Sequence, residues 1–356
     1  MNGALSALAI GSLVFVLVPI GFLFVRVAGG AFKNRRWTKI DRGILTAGIL
    51  LLSILFLRPH QHVYQALDSS AFRHMARAFE AGRGLQDPDP AFAYLPREIR
   101  PWVMLDPFCF EHGERPTRDR SFQLDGLDDA GTRPFFYPML SLNMAALSEL
   151  SRGRLRDYFI PLLSLLFWIA MSIVAGGRAG WRGILFTLAL VVASPLPVWL
   201  GRGCYLESVS AVLLGLAILS WISLDADESP PVAAFWAVGL AVTYHPIMIL
   251  PALPLGVALL FSCRHRRAGW AGVGFGILGI APLFAMTEWI CAPYGALRAG
   301  SLKAAILHNA YIRPAFVLVV LLAVGLLSVL FWIRSGRWNP RIPRNDRGRA
   351  AGDGAR

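Results

Sequence analysis

Charged residues are scarce in this chain. Only 16% of its 356 residues are Asp, Glu, Lys or Arg, while 55% are hydrophobic and mean hydropathy is +0.52. An ordinary soluble domain carries about 25% charged residues. This balance excludes a disordered chain and argues against a soluble enzyme or a nucleic-acid-binding domain. Four Cys are too few for a disulfide scaffold. No Walker loop, Rossmann fingerprint, zinc-type Cys spacing or internal repeat is present. Acids are the rarer charge, and the excess of Lys and Arg gives a net charge of +13. In a membrane protein such an excess is read by location, because Lys and Arg collect on the cytoplasmic side.

What is abundant is long apolar sequence. A bilayer core needs roughly 20 apolar residues per helix. Residues 4–28 meet that length, and they lack the basic start and short apolar core of a signal peptide. Further apolar runs cover 43–57, 157–176, 183–200, 208–223, 232–244, 246–263, 270–287 and 315–333. The expected fold is therefore an all-α polytopic membrane protein of about nine transmembrane helices. The 232–244 run is short for a crossing and needs tilt, local thinning, or a broken hairpin at Tyr244-His245-Pro246.

Three basic stretches set the expected orientation. They are 31–42, the three Arg within 264–267, and the tail after Phe331 with seven Arg and two Asp. Nine crossings, with the N-terminus outside and the C-terminus inside, put all three in the cytoplasm. Residues 135–150 are apolar enough to enter the membrane, but a crossing there would move 264–267 outside. They are read as an interfacial or re-entrant helix on the outer side.

Residues 58–134 differ in kind, holding 12 of the 22 acids and 10 Arg. They form a large extracytoplasmic loop, of the kind that usually carries function. It opens with an amphipathic helix, since Phe72, Met75, Ala76 and Phe79 recur at helical spacing from Asp68 onward. Asp89-Pro90 after Asp87-Pro88 marks turns.

The order of parts is a span, an Asp heading a surface helix (Asp68), a Gly-Arg-Gly stop, and an outer loop closing on Phe136-Tyr137-Pro138-Met139-Leu140. Then comes a Glu opening a Leu-rich span, in Cys204-Tyr205-Leu206-Glu207. From about 43 to 263 the chain resembles GT-C superfamily membrane glycosyltransferases, the polyprenyl-phosphate-sugar-dependent group related to protein mannosyltransferases and aminoarabinose transferases. The resemblance implies sugar transfer from a polyprenyl-phosphate donor to a glycan, lipid or protein acceptor at the outer face of the inner membrane. It implies Asp68 as general base and Glu207 as the acid opening a later span. Where the family often writes Asp-Glu, this chain has Asp68-Ser69, which leaves a second acid and any divalent metal unassigned. Residues 1–42 then form an extra N-terminal span with its basic loop, 43–333 the transmembrane core, and 334–356 a basic cytoplasmic tail expected to lack a fixed fold.

Each residue also has a plainer reading. Asp is a preferred helix N-cap. Glu207 could pair with Arg202 at the interface. Arg202, Arg298, Lys303 and Arg313 suit a phosphate, and His245 could line the cavity, but basic and aromatic residues at an interface are commonly membrane anchors. His60, His62 and His112 read as interfacial polar groups, and Cys109, Cys204 and Cys291 leave room for one disulfide. Membrane lipids are expected partners and nucleic acid is not. The rival functions are a non-catalytic scaffold of the same architecture and, lower in rank, a transporter.

Overall fold

A computed structural model describes residues 3–33, 35–58, 67–82, 87–88, 117–118, 122–124, 131–134, 138–223, 229–245, 248–263 and 266–289. The expected span 315–333, the tail, His60, His62, Cys109, His112 and Cys291 lie outside them.

The first helix, α1, spans Gly3–Lys33 and is apolar on every side. Leu13, Val16, Ile20, Leu23 and Val27 form a buried stripe at helical spacing, whereas Val14, Val18, Phe22 and Val25 are exposed. An exposed apolar face on a helix of 31 residues suits lipid, not water. The buried stripe packs on four later helices: α4 (Met139–Leu150), α5 (Phe159–Ala179), α8 (Leu206–Ile222) and α9 (Val232–Tyr244).

Among the described residues, Gly3–Lys33 and Arg156–Ala179 are each long and apolar enough to cross a bilayer. The run expected at 183–200 is two helices, α6 (Trp181–Ala193) and α7 (Pro195–Arg202), bent by 76°. Pro195 explains the break, because it lacks the N–H that would continue α6 and suits the first turn of a new helix. Taken together this pair makes a third candidate span. The remaining helices are α2 (Lys39–Phe56), α3 (Leu67–Glu80), α10 (Ile249–Phe261) and α11 (Arg266–Trp289). At 17 residues α8 is at the lower limit of a crossing, and at 13 residues each α9 and α10 fall short of one.

Outside the 58–134 loop, the regular elements among the described residues are all helices. Four strands there, β1 (Asp87–Pro88), β2 (Thr117–Arg118), β3 (Phe122–Leu124) and β4 (Gly131–Pro134), pair antiparallel in the order β1-β4-β3-β2. Pro88 sits on an edge strand, where proline is tolerated.

Of the interfacial and re-entrant readings of 135–150, the described helix α4 departs from the first and is compatible with the second. In α4, every residue from Met139 to Ala146 is buried, together with Ser148. Twelve residues rise only about 18 Å, well short of a bilayer core. Ser6 of α1 bonds Glu149, and Ser12 bonds Asn143, so α4 runs antiparallel to α1, deep at its start and shallow at its end.

One end of the bundle is knotted by polar contacts. Thr38 caps α2 in a capping box with Asp41. The Asp41 carboxylate accepts from the Thr38 amide and hydroxyl, both at 2.8 Å, and from the Trp181 amide at 2.7 Å, with Arg35 3.5 Å away. The Thr38 amide bond leads in holding this buried carboxyl below the ordinary aspartate range, against the opposing effect of burial. Nearby connections are tied in the same way, Arg178 to the Ile222 carbonyl at 2.7 Å and Trp221 to Ser262 at 3.0 Å. The turn before α2, the α5–α6 turn and the ends of α8 and α10 therefore share this end.

Candidate functional site

Two of the residues singled out in the sequence meet at the opposite ends of these helices. Glu207 lies in the first turn of α8, where a carboxylate complements the helix dipole. His245 follows the last residue of α9. A residue before proline is pushed out of helical backbone, so Pro246 ends α9 here and leaves His245 extended. The Ser210 hydroxyl donates to the Ala241 carbonyl at 3.0 Å, joining the two helices about one turn below. That bond sets their register. Nε2 of His245 then lies 3.3 Å from Oε1 of Glu207.

The two side chains differ in exposure, Glu207 at 52% and His245 at 18%. Nδ1 of His245 is buried and has no hydrogen-bond partner among the described residues. The ring therefore stands behind the carboxylate and turns its Nε2 toward it. The half-exposed carboxylate is the member of the pair that a solute can reach.

Arg202 ends α7, and its Nε donates to the carbonyl of Arg58, just past α2. The turn from α7 into α8 is held by Ser208, which donates to the Leu200 carbonyl at 2.8 Å, and by Trp199 stacked 5.0 Å from Tyr205. Asp68 is the second residue of α3, inside the helix and not ahead of it as a cap. Its side chain lies outside the described residues, as do Arg298, Lys303 and Arg313 entirely.

α3 is seated by ion pairs that sequence reasoning did not single out. Arg73 grips Asp157 with bonds of 2.9 and 2.7 Å, and Arg156 grips Glu80 with bonds of 2.9 and 3.2 Å. Phe72, Met75, Ala76 and Phe79 are buried, as the periodicity predicts, in a helix that packs on α4. A buried polar chain was missed as well. Asn143 of α4 donates to the Tyr244 hydroxyl and accepts from Ser12 at 3.0 Å. A lone amide in an apolar run was the signal that could have found it.

Among the described residues, no three His, Cys, Asp or Glu side chains converge as metal ligands would. The chain matches no protein-family model, no curated protein and no solved structure.

Proposed function

We propose that this chain is a multi-pass membrane glycosyltransferase that moves a sugar from a polyprenyl-phosphate carrier to a hydroxyl of a glycan, lipid or protein, outside the cytoplasmic membrane. The observation that carries the reading is the Glu207–His245 pair, a half-exposed carboxylate backed by an imidazole at the mouth of an apolar bundle. An ionisable pair at the end of an apolar bundle is a functional-site hypothesis when the bundle is read as membrane-spanning. Position 68 stands in helical register with 72, 75 and 79, the buried stripe of α3 that packs on α4. The knotted end holds Lys33, Arg35, Lys39 and Arg42, and it suits the cytoplasmic side under the positive-inside rule. The site is then extracytoplasmic.

In this reading the acceptor hydroxyl attacks the anomeric carbon while the bond from that carbon to the carrier phosphate breaks. Asp68 takes the hydroxyl proton, and the phosphate leaves with the bonding electrons. Glu207 orients the acceptor through a hydroxyl, held in place by His245. Arg202, together with Arg298, Lys303 and Arg313, neutralises the phosphate. A phosphate needs no protonation to leave, so one base suffices.

The test is a transfer assay in vesicles with labelled polyprenyl-phosphate sugars. Asp68→Asn should lower transfer by about 10²–10⁴-fold, and Glu207→Gln should lower it while the protein stays inserted. Full transfer by Asp68→Asn removes Asp68 from the mechanism. Absence of transfer by the unmodified protein across the donors tried defeats the reading.

A further inference from the structure

Helix α4 touches residues next to both halves of the proposed site. On one side the Ser141 hydroxyl donates to the Phe72 carbonyl at 2.9 Å, one turn after Asp68 on α3. On another, Asn143 donates to the hydroxyl of Tyr244, the residue before His245. Positions two apart on a helix point about 200° from one another. The two contacts therefore leave α4 on nearly opposite sides, one helix width apart. Both side chains are fully buried, as is Tyr244.

We infer that α4 is the spacer that sets the distance between Asp68 and the Glu207–His245 pair, with Ser141 and Asn143 as its positioning residues. The inference rests on the proposed glycosyl transfer for its consequence in catalysis, but its geometry stands apart from that.

The physical reason is directional bonding. Apolar packing alone lets a short helix settle in several rotations and registers of similar energy, whereas a buried amide is tolerated only where its partners meet it. Buried polar residues are best attested in the role of fixing register. Asn143 has such partners on two other helices. Ser12 of α1 donates to its carbonyl oxygen at 3.0 Å and also lies 2.8 Å from the Ala9 carbonyl. Tyr244 of α9 receives its amide. Turning α4 by one residue would lose both contacts and that of Ser141. Because Tyr244 is adjacent to His245, a shift there moves the imidazole behind Glu207.

The experiment uses the full chain in detergent micelles with isotope-labelled histidine. Seven His give few resonances, and His245→Gln assigns the one of interest. In the unmodified protein, Glu207→Gln should displace the His245 resonance. In Asn143→Leu, and in Tyr244→Phe, that resonance should already be displaced and should no longer respond to Glu207→Gln. Tyr244→Phe keeps the ring and removes only the hydroxyl, so it serves if Asn143→Leu does not fold. Where transfer is measurable, these variants and Ser141→Ala should lose at least tenfold in kcat, with donor KM changed by less than threefold. A His245 resonance unmoved in both Asn143→Leu and Tyr244→Phe overturns the inference, whatever happens to transfer. Absence of transfer by the unmodified protein, with the resonance displaced in the variants, defeats the glycosyl-transfer reading and leaves the spacer intact.

Discussion

Arg73 and Asp157 are 84 residues apart in the chain and share two hydrogen bonds, guanidinium to carboxylate. The neighbouring pair, Glu80 with Arg156, has the opposite polarity. Two turns of α3 are thus clasped at both ends to the turn Arg156–Tyr158, by charges that would clash if the helix were reversed or slid.

The clasp can be read by reversal of charge. Arg73→Ala or Glu80→Ala should each destabilise the seating of α3 by roughly 1–2 kcal/mol, since each pair is partly shielded from solvent. The exchange Arg73→Asp with Asp157→Arg should recover only part of the loss, because it also removes the 3.6 Å contact of Asp157 with Arg156. Limited proteolysis within 58–134 measures it, and the defect should shrink in high salt, where the native pair is already weakened. Equal cleavage of single variant and parent at low salt would show that the clasp holds nothing.

The knotted end should be acid-sensitive. The Asp41 carboxyl is held below its ordinary range, so its contribution to stability is complete above the unfolded value, about 3.9, and is lost as pH falls through the lower folded value. Melting curves in detergent should show Asp41→Asn less stable than the parent by a constant margin at neutral pH. That margin should close in acid. A margin that does not change down to the acid limit would mean that the charge on Asp41 does not matter.

Close approach of α9 and α11 rests on missing side chains. A Cβ added at Gly239 would come within 2.1 Å of the Gly276 carbonyl, whereas one added at Gly274 would meet nothing within 4 Å. Gly239→Ala should therefore cost about 1–3 kcal/mol through backbone separation, and it should weaken the bond from Thr243 to the Gly279 carbonyl. Gly274→Ala is the matched control and should hold or slightly raise the melting temperature, because alanine favours a helix over glycine. Similar melting for the two variants would refute the close packing.

The helices were legible because their signals are local. Residues 232–244 form α9 with the same bounds as the apolar run, and the stripe from Phe72 to Phe79 forms the buried face of α3. The stop at His245 was legible too, since Pro246 limits the backbone of the residue before it. The 76° bend at Pro195 was written in the chain but concealed by uniform hydropathy. The burial of 139–146 was not legible, because a surface helix and a core helix of that length have similar composition.

Hydropathy and Pro or Gly punctuation act over a few residues, and they alone make this chain a set of apolar helices with a polar loop between 58 and 134. Which helices meet, and at what rotation, depends on contacts between residues far apart in the chain. The partner of Glu207 is His245 because Ser210 and Ala241 bring α8 and α9 into one register, and Asn143 finds Tyr244 because α4 packs between α1 and α9. Directional bonds inside an apolar bundle form only after the helices are assembled, so only the tertiary structure could decide them.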